Sequence, residues 1–157
     1  MATPTVMSCS RTYPVTLPDA FDAVLTLPLT TIFDQRYGPI PPIKSDDFDG
    51  EWGTVGQSRT IQLRGGGSMR EELTRVDRPT AFGYRISGIT GPMKPLASHI
   101  DGLWSFDSAG TGVRVTWQWQ LHPASAVSAA IVPVFARFWR GYAAQSLARI
   151  ESVLLPS

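Results

Sequence analysis

The feature that constrains this sequence most is a change in the spacing of its apolar residues. Across residues 51–121, apolar residues recur at every second position and turn-forming residues arrive about every ten residues, as in antiparallel strands. Over roughly the last thirty residues the spacing changes to the period of about 3.6 residues that is typical of an amphipathic helix. The sequence therefore predicts an antiparallel sheet followed by one long C-terminal helix.

The residues before this sheet predict a strand, two short helices and a loop. Residues 5–15 are typical of a strand that ends at prolines. A first helix is expected to begin near Thr16 and end at Pro28, and residues 29–37 can hold a second. Residues 38–50, rich in Pro, Ser and Asp, are predicted to be a loop. Because neither helix is long enough to be stable alone, both must pack against another element.

The C-terminal helix is expected to begin near Pro133, since a first helical turn tolerates proline. The preceding residues 124–132 fit either an extra helical turn kinked at Pro133 or a loop. The apolar stripe of the helix consists of Phe135, Phe138, Trp139, Tyr142, Leu147, Ile150, Val153 and Leu154.

Alternation within the strands divides the sheet into an apolar, aromatic face and a polar face. The aromatic face carries Phe82, Tyr84, Ile86, Ile100, Gly102, Trp104, Phe106, Val113, Val115, Trp117, Trp119 and Leu121. The polar face carries their neighbours, such as Arg85, Asp101 and Gln118.

Composition argues against several classes of protein. The 14 Lys and Arg residues balance 13 Asp and Glu, so no excess of positive charge is available to neutralise a nucleic-acid backbone. The one cysteine, Cys9, has no partner for an internal disulfide. With two histidines far apart in sequence, no tetrahedral zinc set is expected. We therefore expect no metal, no cofactor and no nucleic-acid partner.

The sequence also gives expectations for the location, the membrane association and the number of domains of the protein. Export signals need a basic stretch followed by apolar residues, and polar residues interrupt the N-terminus, so a cytoplasmic location is expected. The longest uncharged stretch, between Arg114 and Arg137, contains two prolines and several polar residues, which argues against integral membrane association. A length of 157 residues fits a single domain and leaves the oligomeric state open.

Several short motifs, taken in order, resemble a known superfamily. They are PDAFDAVL at residues 18–25, GQSR at 56–59, Glu72 five residues before DRP at 77–79, FGY at 82–84, WSF at 104–106 and GVRVTW at 112–117. Together, and over nearly the whole chain, they resemble the SRPBCC superfamily, which has the START-related helix-grip fold, and within it the polyketide cyclase/dehydrase-like branch.

The resemblance implies an α+β helix-grip fold spanning residues 1–157. In that fold a curved antiparallel sheet of about seven strands wraps around the long C-terminal helix, with two short helices after the first strand. Members bind lipids, sterols, polyketides or plant hormones, and a few catalyse reactions on such ligands. The implied function is binding of a small hydrophobic molecule in a cavity between the sheet and the C-terminal helix. The alternative is a polyketide aromatase/cyclase-type enzyme that uses polar residues in the same cavity.

The candidate ligand-binding residues are mostly aromatic side chains on the apolar faces. They are Tyr84, Trp104, Trp117, Trp119, Phe135, Phe138, Tyr142 and Glu72. Each ring either lines a cavity or fills the core. Tyr84 and Tyr142 are the most informative, because a buried phenol needs a hydrogen-bond partner and can offer its hydroxyl to a ligand.

Glu71 and Glu72 are adjacent on a strand, so one of them must point inward. Alternation does not decide which, and a bulge or an edge position would let both reach solvent or pair with Arg70 or Arg75. An inward carboxylate would have a raised pKa suited to acid–base chemistry.

Three further features have an ordinary structural explanation beside a functional one. His99 and His122 lie near strand ends and are either acids or bases for a cyclisation or structural histidines. Residues 65–67, three glycines, are a hairpin tip rather than a phosphate loop, because no Lys-Ser or Lys-Thr follows. The proline-rich residues 38–45 are a further candidate, as a protein-interaction segment.

Overall fold

The computed structural model describes residues 3–48 and 50–155. In chain order its helices and strands are β1 (Thr5–Tyr13), α1 (Leu17–Thr26), α2 (Leu29–Ile32), β2 (Ile43–Asp47), β3 (Ser58–Leu63), β4 (Ser68–Asp77), β5 (Ala81–Ser87), β6 (Ala97–Ala109), β7 (Gly112–Pro123) and α3 (Ala126–Leu154). A 3₁₀ turn at Gly91–Met93 precedes β6.

Within the described residues, seven antiparallel strands form one curved sheet in the order β1-β7-β6-β5-β4-β3-β2. Strands β3 to β7 follow one another as hairpins, as their alternation predicts. Strand β1 closes the other side by pairing with β7, from Thr5 opposite Leu121 to Tyr13 opposite Val113. With two short helices after β1 and a long helix at the end, this is the predicted α+β helix-grip fold.

Helix α1 begins where its residues favour a start. The Oγ1 atom of Thr16 accepts a hydrogen bond from the backbone N–H of Asp19 at 3.3 Å, and Pro18 occupies the first turn, where its missing donor costs nothing. The helix buries its apolar face, including Phe21 and Leu25, against the sheet. The ring of Phe21 meets that of Phe106 edge to face at 5.3 Å between centroids.

Helix α3 begins at Ala126, earlier than the expected start near Pro133. Ser125 and Ser128 form a reciprocal cap, in which each backbone N–H donates to the other side chain's Oγ at 2.8 and 3.2 Å. This cap starts the helix, and Pro133 lies inside it. Residues 126–132 are therefore helical, as one of the two alternatives predicts, whereas residues 124 and 125 precede the helix.

The segment after α1 differs from its prediction in two ways. Helix α2 ends at Ile32 instead of extending to residue 37, and the predicted loop at 38–50 contains strand β2. The backbone N–H of Ile43 donates to the carbonyl of Phe33 at 2.7 Å, which ties the start of β2 to the end of α2. Since β2 is an edge strand, prolines just before it remove no hydrogen bond from the sheet.

The interior beneath α3 is filled by indole rings. The fully buried Trp139 lies with its ring centroid 5.0 Å from that of Trp117 and 5.6 Å from that of Trp119. Trp117 also stacks on Trp104 at 5.0 Å, with the ring planes 6° apart. These contacts leave little space between α3 and the sheet. Of the helices in the described part of the chain, none has the length and apolar character that a membrane crossing requires.

Candidate functional site

A cavity of about 90 Å³ lies between the aromatic face of the sheet and the segment that runs from α1 to β2. Its wall consists of Val24, Leu25, Leu27, Leu29, Ile32, Phe33, Ile40, Pro41, Ile43, Arg59, Ile61, Leu63, Met69, Glu71, Phe82, Tyr84, Ile86, Met93, Trp104, Trp117, Trp119 and Tyr142. The wall is almost entirely apolar and aromatic, which is the usual character of a small-molecule site.

The position of the cavity corrects the sequence-based expectation. The sequence predicts a cavity between the sheet and the C-terminal helix, but α3 contributes only Tyr142 to the wall. The physical reason is that Trp139 packs against Trp117 and Trp119 and occupies the space under α3. The unfilled space lies instead beneath α1 and α2.

The volume of the cavity limits the size of the ligand that this conformation can enclose. Pockets for drug-sized molecules measure about 300–1,000 Å³, several times the 90 Å³ found in this protein. The cavity therefore accepts a small molecule, or one part of a larger molecule.

Five of the eight candidate residues lie in the wall, namely Tyr84, Trp104, Trp117, Trp119 and Tyr142. The other three, Phe135, Phe138 and Glu72, lie outside the wall. Phe135 stacks against Trp119 outside the cavity, Phe138 is 41% exposed, and Glu72 is exposed on the opposite side of β4. The helical stripe correctly predicts that Phe135 is buried but is too wide at Phe138, and in the structure Glu71 takes the inward position on β4.

The hydroxyl of Tyr84 is the centre of a hydrogen-bonded cluster. It accepts from the indole Nε1–H of Trp117 at 2.8 Å and from that of Trp119 at 2.9 Å. Burial raises the pKa of Tyr84, and the charge of Glu71 adds to the rise. The phenol therefore stays protonated, and no group in residues 3–48 or 50–155 accepts its proton. The O–H of Tyr84 is therefore left as a free donor in the cavity wall.

A buried ion pair forms the charged part of the wall. Arg59 of β3 and Glu71 of β4 are directly opposite in the sheet, and the Nε of Arg59 lies 2.6 Å from Oε1 of Glu71. The Nη1 of Arg59 lies 3.5 Å from Oδ2 of Asp46, and its guanidinium lies 4.1 Å from the centre of the Trp52 ring. Burial raises the pKa of Glu71, and the positive charge of Arg59 opposes that rise.

The sequence contained a signal for this pair. Arg59 is on the same face of β3 as Ile61 and Leu63, because these residues are two positions apart. Glu71 is likewise on the same face of β4 as Met69 and Leu73, so each charge lies on the apolar face. Opposite charges on the apolar faces of two consecutive strands, β3 and β4, indicate a buried ion pair.

Tyr142 supplies a second hydroxyl to the cavity. Burial raises the pKa of this phenol, so it also stays protonated. Among the described residues, no hydrogen bond is made to its hydroxyl.

The remaining candidates lie away from the cavity. His99 and His122 are on the polar face of the sheet, which is the position expected of structural histidines and not of acids or bases that act in the cavity. The glycines at 65–67 form the tip between β3 and β4, as predicted. The proline-rich segment 38–45 contributes Ile40, Pro41 and Ile43 to the cavity wall.

Comparisons with known proteins agree with the fold. The model of the family described as "Polyketide cyclase / dehydrase and lipid transport" matches residues 10–154. None of the curated proteins matches the sequence.

Three solved structures illustrate the likeness. Ara h 8.0201 has a TM-score of 0.70 at 14% identity, covering 98% of this chain and 99% of that one. Major latex-like protein 151 of Panax ginseng has a TM-score of 0.69 at 17% identity, with coverage of 98% and 99%. Protein Ms6760 of Mycobacterium smegmatis has a TM-score of 0.66 at 16% identity, with coverage of 97% and 91%. At these identities the likeness establishes the fold.

Proposed function

The chain belongs to the polyketide cyclase/dehydrase and lipid transport family of the SRPBCC superfamily, and we propose that it binds a small apolar molecule carrying one hydrogen-bond acceptor. The ligand occupies the cavity beneath α1 and α2. The observation that carries this proposal is the free O–H donor of Tyr84 in a mostly apolar wall, whose charged groups, Arg59 and Glu71, are paired with each other.

The hydrogen bonds of Tyr84 set the chemistry of the ligand. A phenol oxygen has two lone pairs and one proton, and the indoles of Trp117 and Trp119 use both lone pairs. What remains is the proton, which needs an acceptor such as a carbonyl or ether oxygen. A buried donor without a partner costs about 1–3 kcal/mol, so a ligand that supplies the acceptor is favoured over one that does not.

The size of the cavity sets the expected affinity. A molecule of about nine heavy atoms that gains about 0.5 kcal/mol per atom would bind with a Kd of roughly 1 mM. A larger lipid or polyketide that extends beyond the cavity would gain further contacts. The expected class is therefore a hydrophobic ketone, or a longer molecule with a ketone at the buried end.

Acetophenone and ethylbenzene form a matched pair for the test, since they differ chiefly in the carbonyl oxygen. Binding is followed by NMR through the indole N–H signals of Trp117 and Trp119. We expect acetophenone to bind about threefold to tenfold more tightly, the ratio that one net hydrogen bond gives. Tyr84→Phe should abolish that preference, whereas Tyr142→Phe, in the same wall, should retain it. Equal affinities of the two compounds for the native protein would overturn the proposal.

A second candidate function rests on Glu71. This buried carboxylate lies in the same wall as Tyr84, and burial raises its pKa, which suits a general base. In an aromatase/cyclase-type reaction Glu71 would take a proton from the carbon next to a ketone. The C–H electron pair would form the carbon–carbon double bond of an enolate while the carbonyl π pair moves to oxygen, and the hydroxyl of Tyr84 would stabilise that oxygen.

Hydrogen–deuterium exchange at the methyl group of acetophenone tests this second function. In D₂O, a protein that acts as the base accelerates exchange, Glu71→Gln abolishes the acceleration and Glu72→Gln leaves it unchanged. Exchange no faster than in buffer would rule out the second function and leave the binding proposal in place.

A further inference from the structure

Three side chains that ligate metals meet on the polar face of the sheet, opposite the cavity. His99 of β6 and His122 of β7 are cross-strand partners, and their rings stack at 4.0 Å between centroids. Asp101, two positions after His99 on the same face, places its Oδ2 3.2 Å from Nε2 of His122. One nitrogen or oxygen from each of the three residues lies within 4.8 Å of the others.

We propose that His99, Asp101 and His122 bind a divalent transition-metal ion such as Zn²⁺ or Ni²⁺. Imidazole nitrogen and carboxylate oxygen are ligands that these ions accept, and two histidines with one carboxylate leave further coordination positions for water. Hard ions such as Mg²⁺ prefer oxygen ligands and are expected to bind this site poorly.

The side chains are close enough to reach a common ion. In a tetrahedral zinc site with ligands at about 2.0–2.1 Å from the ion, the ligand atoms lie about 3.3 Å from one another. The ligand atoms of this cluster lie within 4.8 Å of one another, so small rotations of the side chains bring them to that distance. All three residues are only partly buried, which leaves room for those rotations. After an irregularity between Ala97 and His99, β6 and β7 are paired without interruption from His99 to Ala109, so the backbone that carries the three ligands is held in register.

Arg85 holds the carboxylate of the cluster in place. The Nε of Arg85 donates to Oδ1 of Asp101 at 2.8 Å, which orients the carboxylate with Oδ2 toward His122.

The proposed site differs from the sequence-based expectation, which excludes a zinc set because the two histidines are far apart in the chain. The hairpin of β6 and β7 brings them side by side, since antiparallel register pairs residues that are distant in sequence.

Isothermal titration calorimetry of the untagged protein with ZnCl₂ and NiCl₂ tests the proposal. A Cys9→Ser background removes the one thiol, and MgCl₂ serves as the comparison ion. We expect one ion per chain with a Kd below about 0.1 mM. His99→Gln and His122→Gln should each weaken binding at least tenfold.

Asp101→Asn covers the case in which a histidine variant fails to fold, and it should also weaken binding. Asp107→Asn is its matched control, because Asp107 is an exposed carboxylate on the same strand and lies outside the cluster. The proposal would be overturned if all three cluster variants bound the metal as tightly as the native protein. It would also be overturned if the native protein bound neither Zn²⁺ nor Ni²⁺ at about 1 mM.

Discussion

The ring of Tyr84 lies across Gly102 of the neighbouring strand, in the space that a side chain at position 102 would fill. A Cβ atom on Gly102 would overlap the ring. The two residues are cross-strand partners between β5 and β6. The glycine therefore allows the phenol to lie flat against the sheet, with its hydroxyl at the indoles of Trp117 and Trp119.

Replacing this glycine should displace the phenol. We expect Gly102→Ala to lower the free energy of unfolding by about 1–3 kcal/mol, the usual cost of overpacking a core. It should also shift the indole N–H signals of Trp117 and Trp119 in NMR spectra. Urea denaturation gives the stability, and Ser105→Ala, at a partly exposed position of β6, is the control. Unchanged indole signals in Gly102→Ala would contradict the contact.

Removing the hydroxyl of Tyr84 should cost stability as well as ligand preference. Tyr84→Phe leaves two buried indole N–H groups without an acceptor, each at about 1–3 kcal/mol. We expect a loss of about 2–4 kcal/mol in urea denaturation. Tyr142→Phe removes a hydroxyl that makes no hydrogen bond within the described residues, so its effect should stay within about 0.5 kcal/mol. Similar losses in both variants would be inconsistent with the cluster.

The adjacent glutamates should behave very differently. Glu71→Gln breaks a buried ion pair with Arg59 and leaves that cation poorly compensated, a change that costs about 3 kcal/mol or more. Glu72→Gln changes an exposed side chain and should alter stability by less than about 0.5 kcal/mol. Thermal and urea unfolding of the two variants provide the comparison. Equal effects would mean that the assigned orientation of β4 is wrong.

The stability of the protein should fall in mild acid, in part through His99. Partial burial and the charges of His122 and Arg85 lower the pKa of His99 in the folded state, although Asp101 opposes this. In the unfolded chain His99 takes up a proton near pH 6.5, whereas in the folded protein it does so only at a lower pH. Between these two pH values the unfolded state binds the proton more tightly, so the free energy of unfolding decreases as the pH falls. We expect His99→Gln to lose less unfolding free energy than the native protein between about pH 7.5 and about pH 5.5.

Chelator in all samples keeps metal ions from contributing to this comparison. Ser105→Ala, at a partly exposed position of the same strand, is the control and should show the same pH dependence as the native protein. A loss in His99→Gln as large as in the native protein would contradict the stated effect.

Much of the fold follows from the sequence because each strand has a clear alternation. That alternation places Tyr84, Trp104, Trp117 and Trp119 on one face, and the structure brings all four to the cavity wall. The sequence does not predict strand β2, because a short edge strand after prolines has the composition of a loop.

The parts that could not be predicted depend on contacts between distant elements. Which side of α3 meets the sheet is decided by Trp139, whose burial turns Phe138 outward. The pairs Arg59 with Glu71 and His99 with His122 depend on strand register, which a single strand does not specify. The position of the cavity depends on how completely the rings fill the space under α3.

A crystal structure of the protein grown with 4-bromoacetophenone tests the central claim most directly, because the anomalous signal of bromine locates the ligand. We expect the aromatic ring beneath α1 and α2, with the ketone oxygen about 2.7 Å from the hydroxyl of Tyr84. Ligand found only outside this cavity, or a cavity without ligand at a saturating concentration, would contradict the account.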